Sequence, residues 1–501
     1  MELYDLFYKW VPAYVRLPVL FLLFFCVLSA NGVYLGNANL IANNLGVYAE
    51  SFTEAYNAVY IGMGLGLIFH YRLKLRFSSK QLVLFGFIMM FLTNLICATT
   101  SNTVVFIAAC FILGFCKISA LADLYVIWML IWANKKFDAT KIYPFVYFTA
   151  LCGINFLIWL TAYIATLYDW RHAYIVVLVL LLLSILSVIL LVENHELKNK
   201  LPLKGIDYPG LVLLGASLLC LNYAVVNGHV EDWLSSKNIA VAFIAAAITM
   251  LLFIKRQLSV KSPLYDFGLF QHATFRKGLI YFLLLGVFLP GSFQTAFSGG
   301  VLGYDAATNS AVALYMIPGI ITGCAVCFIW YYFKLNTDVL IMLGFLSFLV
   351  YYMMLYNSFS NSFAMAGFAL PSLFKGFGTA ILYIAAGLFA VQGFDIKGLV
   401  MASGTVIIIR NFFGSGIITA IYTHLLYTER IRQVNDLASH MDVNSFYVHS
   451  YGAGLIRRVQ GEATLNASKE LSGFVVIAGV ILMICLLINF LLKKIKGSVP
   501  A

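Results

Sequence analysis

The sequence predicts an all-α polytopic membrane protein whose fourteen transmembrane helices are arranged six, two, six, with both termini in the cytoplasm. Three observations carry this expectation. Of the 501 residues, 62% are hydrophobic and only 11% charged, a composition far outside that of soluble domains. The chain divides into fourteen apolar runs near the ~20 residues that a helix needs to cross about 30 Å of hydrocarbon. Part of it also repeats. GFCKISALADLY (114–125) is answered by SLFKGFGTAILY (372–383), with Lys117/Lys375, Ala122/Ala380, Leu124/Leu382 and Tyr125/Tyr383 in register. Matched alanines and leucines are cheap in such a composition, but two matched lysines inside apolar runs are not, and they indicate a duplicated chain with a site between its halves.

The N-terminal stretch MELYDLFYKWVPAYVR (1–16) has neither a basic start nor a small-residue cleavage site, so no cleaved signal is expected. Six runs follow at 18–39, 52–71, 81–100, 103–132, 143–166 and 171–192. Two more, at 208–227 and 238–254, are set off by the polar segments 193–209 and 255–266 and read as an insertion. The last six lie at 276–299, 306–332, 338–356, 362–391, 398–424 and 471–492. Shifting the ninth to thirteenth runs by the Lys117-to-Lys375 offset lands them on the first five. The fourteenth escapes the shift because a long segment, 425–470, precedes it. The expected units are therefore an N-terminal six-helix half (1–192), a linker with two inserted helices (193–275) and a C-terminal half (276–501) that includes the outer loop 425–470. Within that loop Ile431, Val434, Leu437 and Met441 recur at spacings of three and four, an amphipathic helix pattern.

Orientation follows from the basic residues. With the N terminus inside, cytoplasmic segments hold 22 of the 32 lysines and arginines, and the short outer loops hold only Arg171 and Lys237. The net charge of +11 is scattered over short loops rather than gathered in a patch, which argues against nucleic-acid binding. All nine cysteines fall in apolar runs without metal-ligand spacing, so neither a disulfide framework nor a zinc site is expected. His229, Glu231 and Asp232 meet only in an outer loop, and no metal site is assigned to them.

Ionisable residues inside the runs are the functional candidates. Asp123 is the one acid well inside a predicted helix and is the candidate proton carrier, or else a charge partner for a basic residue on another helix. It does not pair with Lys117, since six helical residues turn about 240° and rise ~9 Å. Lys117 lies too far from either end of its run to snorkel to an interface, so it and Lys375 are candidate cavity residues. Tyr125 and Tyr383 share their repeat, about 80° around the helix, and join them as candidate substrate contacts.

Several stretches together resemble one family. GIDYPGLVLLGASLLCLNYAVVNGHVEDWLSS (205–236) resembles the inserted helix 7 of the fourteen-helix drug:proton antiporter branch of the major facilitator superfamily, the EmrB/QacA type. SPLYDFGLFQHATFRKG (262–278) is similar to that branch's entry into helix 9. IIIRNFFGSGIITAIYTHLLYTER (407–430) is similar to its helix 13, where the family's arginine falls at Arg410; IANNLGV (41–47) and DWRHAYIV (169–176) resemble the end of helix 1 and the start of helix 6. There are departures. The loop between helices 2 and 3, GLIFHYRLKLR (66–76), has His70 where the family has aspartate and Leu73 where it has glycine, leaving His70, Arg72 and Lys74 as an altered gating loop, with His70 read as a solvated loop residue. The family's helix 4 arginine falls at Cys110, its helix 1 acid at Ala30, and its helix 5 glycine-proline pattern on LIWLTA (157–162), which has neither residue.

The resemblance implies a major facilitator fold and a secondary transporter that exports an amphipathic or lipophilic small molecule by alternating access, with the proton as coupling ion, no bound cofactor and no catalytic residues. It places the chain in the bacterial plasma (inner) membrane. In the parallel two-half plan, Lys117 and Lys375 on helices 4 and 12 face one another across the central cavity, with Arg410 nearby. An anionic cargo is therefore expected over the lipophilic cations of multidrug relatives, which stay as the alternative. The altered motifs keep open a facilitator-derived sensor that no longer transports; a membrane-embedded enzyme has no motif in its favour. By resemblance to tripartite pumps, loop 425–470 meets a periplasmic adaptor of the EmrA kind and an outer-membrane duct; a cap over the outer mouth is the other reading.

Overall fold

A computed structural model describes residues 7–132, 139–194, 207–260, 263–439 and 454–498. Met441 of the amphipathic pattern lies outside these residues. Among them, twelve helices are long and apolar enough to cross a membrane. The short apolar helix α1 (Ala13–Ser29) and the more polar α3 (Glu50–Lys74) bring the set to fourteen. The N-terminal part continues with α2 (Ala38–Leu45), α4 (Ser79–Thr99), α5 (Thr103–Trp132), α6 (Ala139–Leu167) and α7 (Trp170–Leu191). The inserted pair is α8 (Tyr208–Asn227) and α9 (Lys237–Ser259). Then come α10 (Ala273–Phe288), α11 (Ser292–Ala296), α12 (Ala306–Tyr332), α13 (Thr337–Ser358), α14 (Ala369–Val391), α15 (Ile396–Ile408), α16 (Ile417–Ser439) and a last helix, Leu455–Ser498.

The buried side chains gather in two large clusters. One is made wholly of residues between Phe7 and Val192; the other is drawn mainly from residues after Leu264. Between them the backbones come close: α3 crosses α15 where Gly64 meets Gly404, and a Cβ on Gly64 would overlap Ile408 and lie 2.9 Å from the Gly404 carbonyl oxygen. α6 packs along α12, so each part contributes to the seam.

Two predicted spans are interrupted where the sequence shows only apolar periodicity. The first breaks after Ser29; Gly32 takes a positive φ of 72°, a conformation in which L side chains are strained, and the chain resumes as α2. The ninth breaks between Phe288 and Ser292, at Pro290 and Gly291, and continues through α11 into a π turn, Phe297–Val301. A second π segment, Ile409–Gly416, separates α15 from α16. Such wide turns are rare and recur at functional sites.

The segment 425–470 departs from the loop that was expected. Helix α16 runs on to Ser439 and the last helix starts at Leu455, so both continue beyond the predicted spans. Arg432 holds them together, donating to Glu470 at 3.0 Å and pairing with Glu429 at 2.8 Å. The amphipathic pattern from Ile431 to Leu437 thus lies on a helical extension.

Candidate functional site

The two repeat-related lysines sit at the two helix breaks. Helix α1 ends with carbonyl groups that its own turns leave unpaired. Lys117, on α5 and 1% exposed, reaches them: its Nζ donates to Leu28 O at 3.1 Å, Ala30 O at 3.0 Å and Asn31 Oδ1 at 2.6 Å. An ammonium has three donors, and all three are spent on the chain. The charge also stands at the negative end of the α1 dipole. Lys117 therefore does not present the open ammonium that the repeat led us to expect.

Lys375, on α14, lies against the break between α10 and α11, where a Cβ on Gly291 would come within 3.2 Å of its Nζ. Its ammonium stands 5.1 Å from the centroid of the Tyr351 ring and makes no hydrogen bond among the described residues. Tyr351 donates to Gln294 Oε1 at 2.8 Å, and Tyr352 to Pro290 O at 3.1 Å. Gln294 Nε2 and Ser372 Oγ are buried without a partner. The surroundings of this break are thus rich in unspent donors. At the first break Ser29 Oγ, Tyr34 OH and the Asn37 amide are also unpartnered, but they are neutral and the charge beside them is satisfied.

Arg410 is the second residue of the second π segment. Its guanidinium lies 4.3 Å from the Tyr383 ring centroid, within reach of a cation–π contact, and its Nη1 donates to Tyr147 OH at 2.9 Å. Its Nε is buried and unpartnered. Tyr147 belongs to α6, so this contact joins the N-terminal helices to the C-terminal ones. Edge and tilted ring contacts extend the aromatic wall from Tyr383 through Tyr147 and Tyr143 to Tyr125. No carboxylate pairs with Arg410 or Lys375 among the described residues. Along α14, Lys375 and Tyr383 are eight residues apart, about 12 Å.

Asp123 is buried, at 2% exposure, near the cytoplasmic end of α5, apart from these groups. Its Oδ1 pairs with Lys74 Nζ at 2.8 Å and lies 3.7 Å from His70 Nε2; its Oδ2 has no partner. The second of the two roles expected for it, charge partner of a base on another helix, is the one seen. The gating residues are also placed differently from the expected loop. Helix α3 runs on to Lys74, so His70, Arg72 and Lys74 lie on its last turns, and His70 is buried rather than solvated.

Two groups escaped the sequence reading. Tyr147 gave no signal among so many aromatics. Glu54 stands two residues inside the predicted second span, where an acid has the look of a solvated helix end, yet it is 8% exposed. Its Oε2 accepts a hydrogen bond from Asn227 on the inserted helix α8 at 2.8 Å.

Broken membrane helices, buried cations at the breaks and two helical clusters around a seam define a polytopic membrane protein of the transporter type. The sequence model of the Major Facilitator Superfamily matches residues 20–423, and the chain belongs to that family. With twelve helices among the described residues long and apolar enough to cross a membrane, it is an integral protein of the inner membrane. Over 282 residues it is 21% identical to a protein named multidrug export protein EmrB of Haemophilus influenzae, covering 54% of each chain. Over 226 residues it is 24% identical to a colistin resistance protein EmrB of Acinetobacter baumannii, covering 44% of this chain and 43% of that one. The chain spans about half the length of the curated relatives it matches. Among solved structures, a mutant of the nucleoside transporter NupG superposes with a TM-score of 0.56 at 12% identity, over 93% of this chain and 99% of that one. A proton-dependent oligopeptide transporter gives 0.56 at 14% identity, over 94% and 98%. At such identities these structures speak for the fold alone.

Proposed function

We propose that this protein is a secondary transporter that exports an amphipathic, anionic small molecule by alternating access, coupled to protons. The observation that carries the anionic reading is that the buried Lys375 and the half-buried Arg410 have no carboxylate partner among the described residues. Burying a cation without a counter-charge is costly. A cargo carboxylate or phenolate supplies that counter-charge, and Gln294 Nε2 and Ser372 Oγ are further donors that can receive it. Tyr383, Tyr147, Tyr143 and Tyr125 offer ring faces for the apolar body of such a molecule. Lys117 supports the site from behind, by holding the end of α1 in place. A lipophilic cation would meet only like charge there.

Asp123 is the proposed proton carrier on the cytoplasmic side. Its open Oδ2 can take a proton, and neutralising it would release Lys74 and loosen the inner ends of α3 and α5. Export is the direction in the name of one relative, the multidrug export protein EmrB of Haemophilus influenzae. By the resemblance to tripartite pumps, the helical extension 425–439 and 455–470 is proposed to receive a periplasmic adaptor.

The test uses inverted membrane vesicles energised with a proton gradient and a panel of labelled lipophilic carboxylates and lipophilic ammonium ions. Accumulation of unmodified carboxylates, reduced at least tenfold by Lys375→Ala, is expected. Accumulation of the ammonium ions alone would replace this reading with a multidrug cation exporter, and covalent alteration of the probe would replace it with an enzyme.

A further inference from the structure

The inserted pair α8–α9 bonds to α3 through one polar chain. Asn227 Nδ2 donates to Glu54 Oε2 at 2.8 Å, Asn222 Nδ2 to Glu54 O at 2.9 Å, and Asn57 Nδ2 to Asn222 Oδ1 at 2.9 Å. Asn57 in turn packs on Gly416, the last residue of the π segment that contains Arg410; a Cβ there would lie 2.6 Å from Asn57 Oδ1. Three of these side chains, Asn57, Asn222 and Asn227, are neutral amides, and Glu54 alone can change charge. It is buried, and no basic side chain lies within ion-pair distance of it among the described residues.

Other titratable groups surround it on the outer side. Glu50 on its own helix is 3.1 Å from His229, and Tyr223 donates to Glu231 at 2.5 Å, so the inserted hairpin presents a histidine and a carboxylate that are each already engaged. Tyr56 and Tyr60 lie further in on α3. On α16, His424 accepts from Trp233 Nε1 at 3.4 Å. The stretch of α5 packed against this end, Thr103–Cys116, has no acidic, basic or histidine side chain. Glu54 thus stands one helical turn further into α3 than the engaged Glu50–His229 pair, buried beneath it.

We infer that Glu54 is an outward-facing proton-binding site of the transport cycle, and that the inserted helix α8 relays its protonation to the π segment carrying Arg410. The step is the transfer of a proton from external water to Glu54 Oε2 or Oε1, forming an O–H bond. A protonated Glu54 can turn from acceptor to donor, so that Asn227 must offer its amide oxygen in place of its Nδ2. The change reaches Asn222 and Asn57 through the shift of α8 against α3, since Asn222 bonds the Glu54 backbone carbonyl and not its carboxyl group. The coupling role rests on the transport reading above; the proton site itself does not.

The test begins with infrared difference spectroscopy of the purified full-length protein in lipid nanodiscs, titrated in the absence of cargo. A band from a buried protonated carboxyl group is expected to appear and vanish with pH, to disappear in Glu54→Gln, to shift frequency in Glu54→Asp, and to move its midpoint in Asn227→Leu. If, in an Asp123→Asn background that removes the other proposed proton site, no such band appears or the band survives in Glu54→Gln, the inference is overturned, whatever the protein carries. In vesicles, Glu54→Gln should retain exchange of a labelled lipophilic carboxylate while gradient-driven accumulation falls at least tenfold. Undiminished gradient-driven accumulation in Glu54→Gln would remove the coupling role even with the band in place.

Discussion

Two lysines in register within a repeat have ended in opposite situations. Lys117 is saturated by the end of α1, which offers it two carbonyls and an asparagine oxygen. Lys375 meets the corresponding break between α10 and α11 with an aromatic face and no acceptor. The local cause is visible in the sequence around the breaks. After α1 the chain carries Asn31, whose side chain completes the cage, whereas Pro290 O is taken by Tyr352, and Gly291 brings backbone but no side chain to the lysine. Equivalent positions in a duplicated fold have thus been divided between holding the architecture and leaving a charge to be met by something else.

The largest effect to be expected from this contrast is on folding. Lys117→Met removes three donors at once and leaves buried carbonyl groups unpaired, each at a cost of about 1–3 kcal/mol. Yield in the membrane and the apparent Tm in detergent should drop sharply. Lys375→Met, which replaces an ammonium with no hydrogen bonds by an apolar side chain of similar length, should leave both unchanged or slightly raised. Equal losses in the two variants would erase the distinction, since it predicts a structural role for one lysine only.

How much of this was legible beforehand follows the same line. The helical spans were readable because hydrocarbon thickness acts on composition alone; the inserted pair and the orientation are inferences from the polar segments and the distribution of basic residues. The repeat pointed to both lysines, to Tyr383 and, through family resemblance, to Arg410. It could not say which lysine was spent, because that depends on where carbonyl groups are left over at a helix break, and breaks at Gly32 and Gly291 leave no mark on hydropathy. Asp123 was found as an unusual acid, but its partner Lys74 was assigned to a loop since helix α3 runs further than its apolar part. Glu54 was hidden for the opposite reason: an acid near a predicted helix end looks solvated until a second helix covers it.

A smaller effect should appear at the other cation. Tyr147→Phe takes one charge-assisted hydrogen bond from Arg410 and keeps the ring, a change worth about 1.5–3 kcal/mol at most. Because Tyr147 lies on α6 and Arg410 beyond α15, the bond spans the two sets of helices and must be remade as they move. The variant should fold normally and alter the rate of carboxylate transport by roughly tenfold, read as initial rates in vesicles. Arg410→Lys, which keeps the charge but loses the planar group over Tyr383, should not restore the rate in a Tyr147→Phe background.

The smallest effect concerns the inserted pair on the cytoplasmic side, where no cargo is involved. Asp207 caps α8 and accepts hydrogen bonds from Arg256 Nε at 2.6 Å, Gln257 Nε2 at 2.6 Å and Gly210 N at 3.0 Å. Burial alone would raise its carboxyl pKa, but the bonds from Arg256, Gly210 and Gln257 outweigh it, and the pKa lies below the ordinary carboxylate value. A carboxyl lowered in the folded state adds stability that is complete above its unfolded pKa and is lost as pH falls through the folded one. Arg256→Met withdraws part of that lowering. Its Tm should therefore differ from that of the wild-type protein at neutral pH, and the two should converge as acid protonates Asp207 in both. A difference that stays constant from neutral to acid pH would mean that Arg256 supports the inserted helices through packing of its stem rather than through the charge on Asp207.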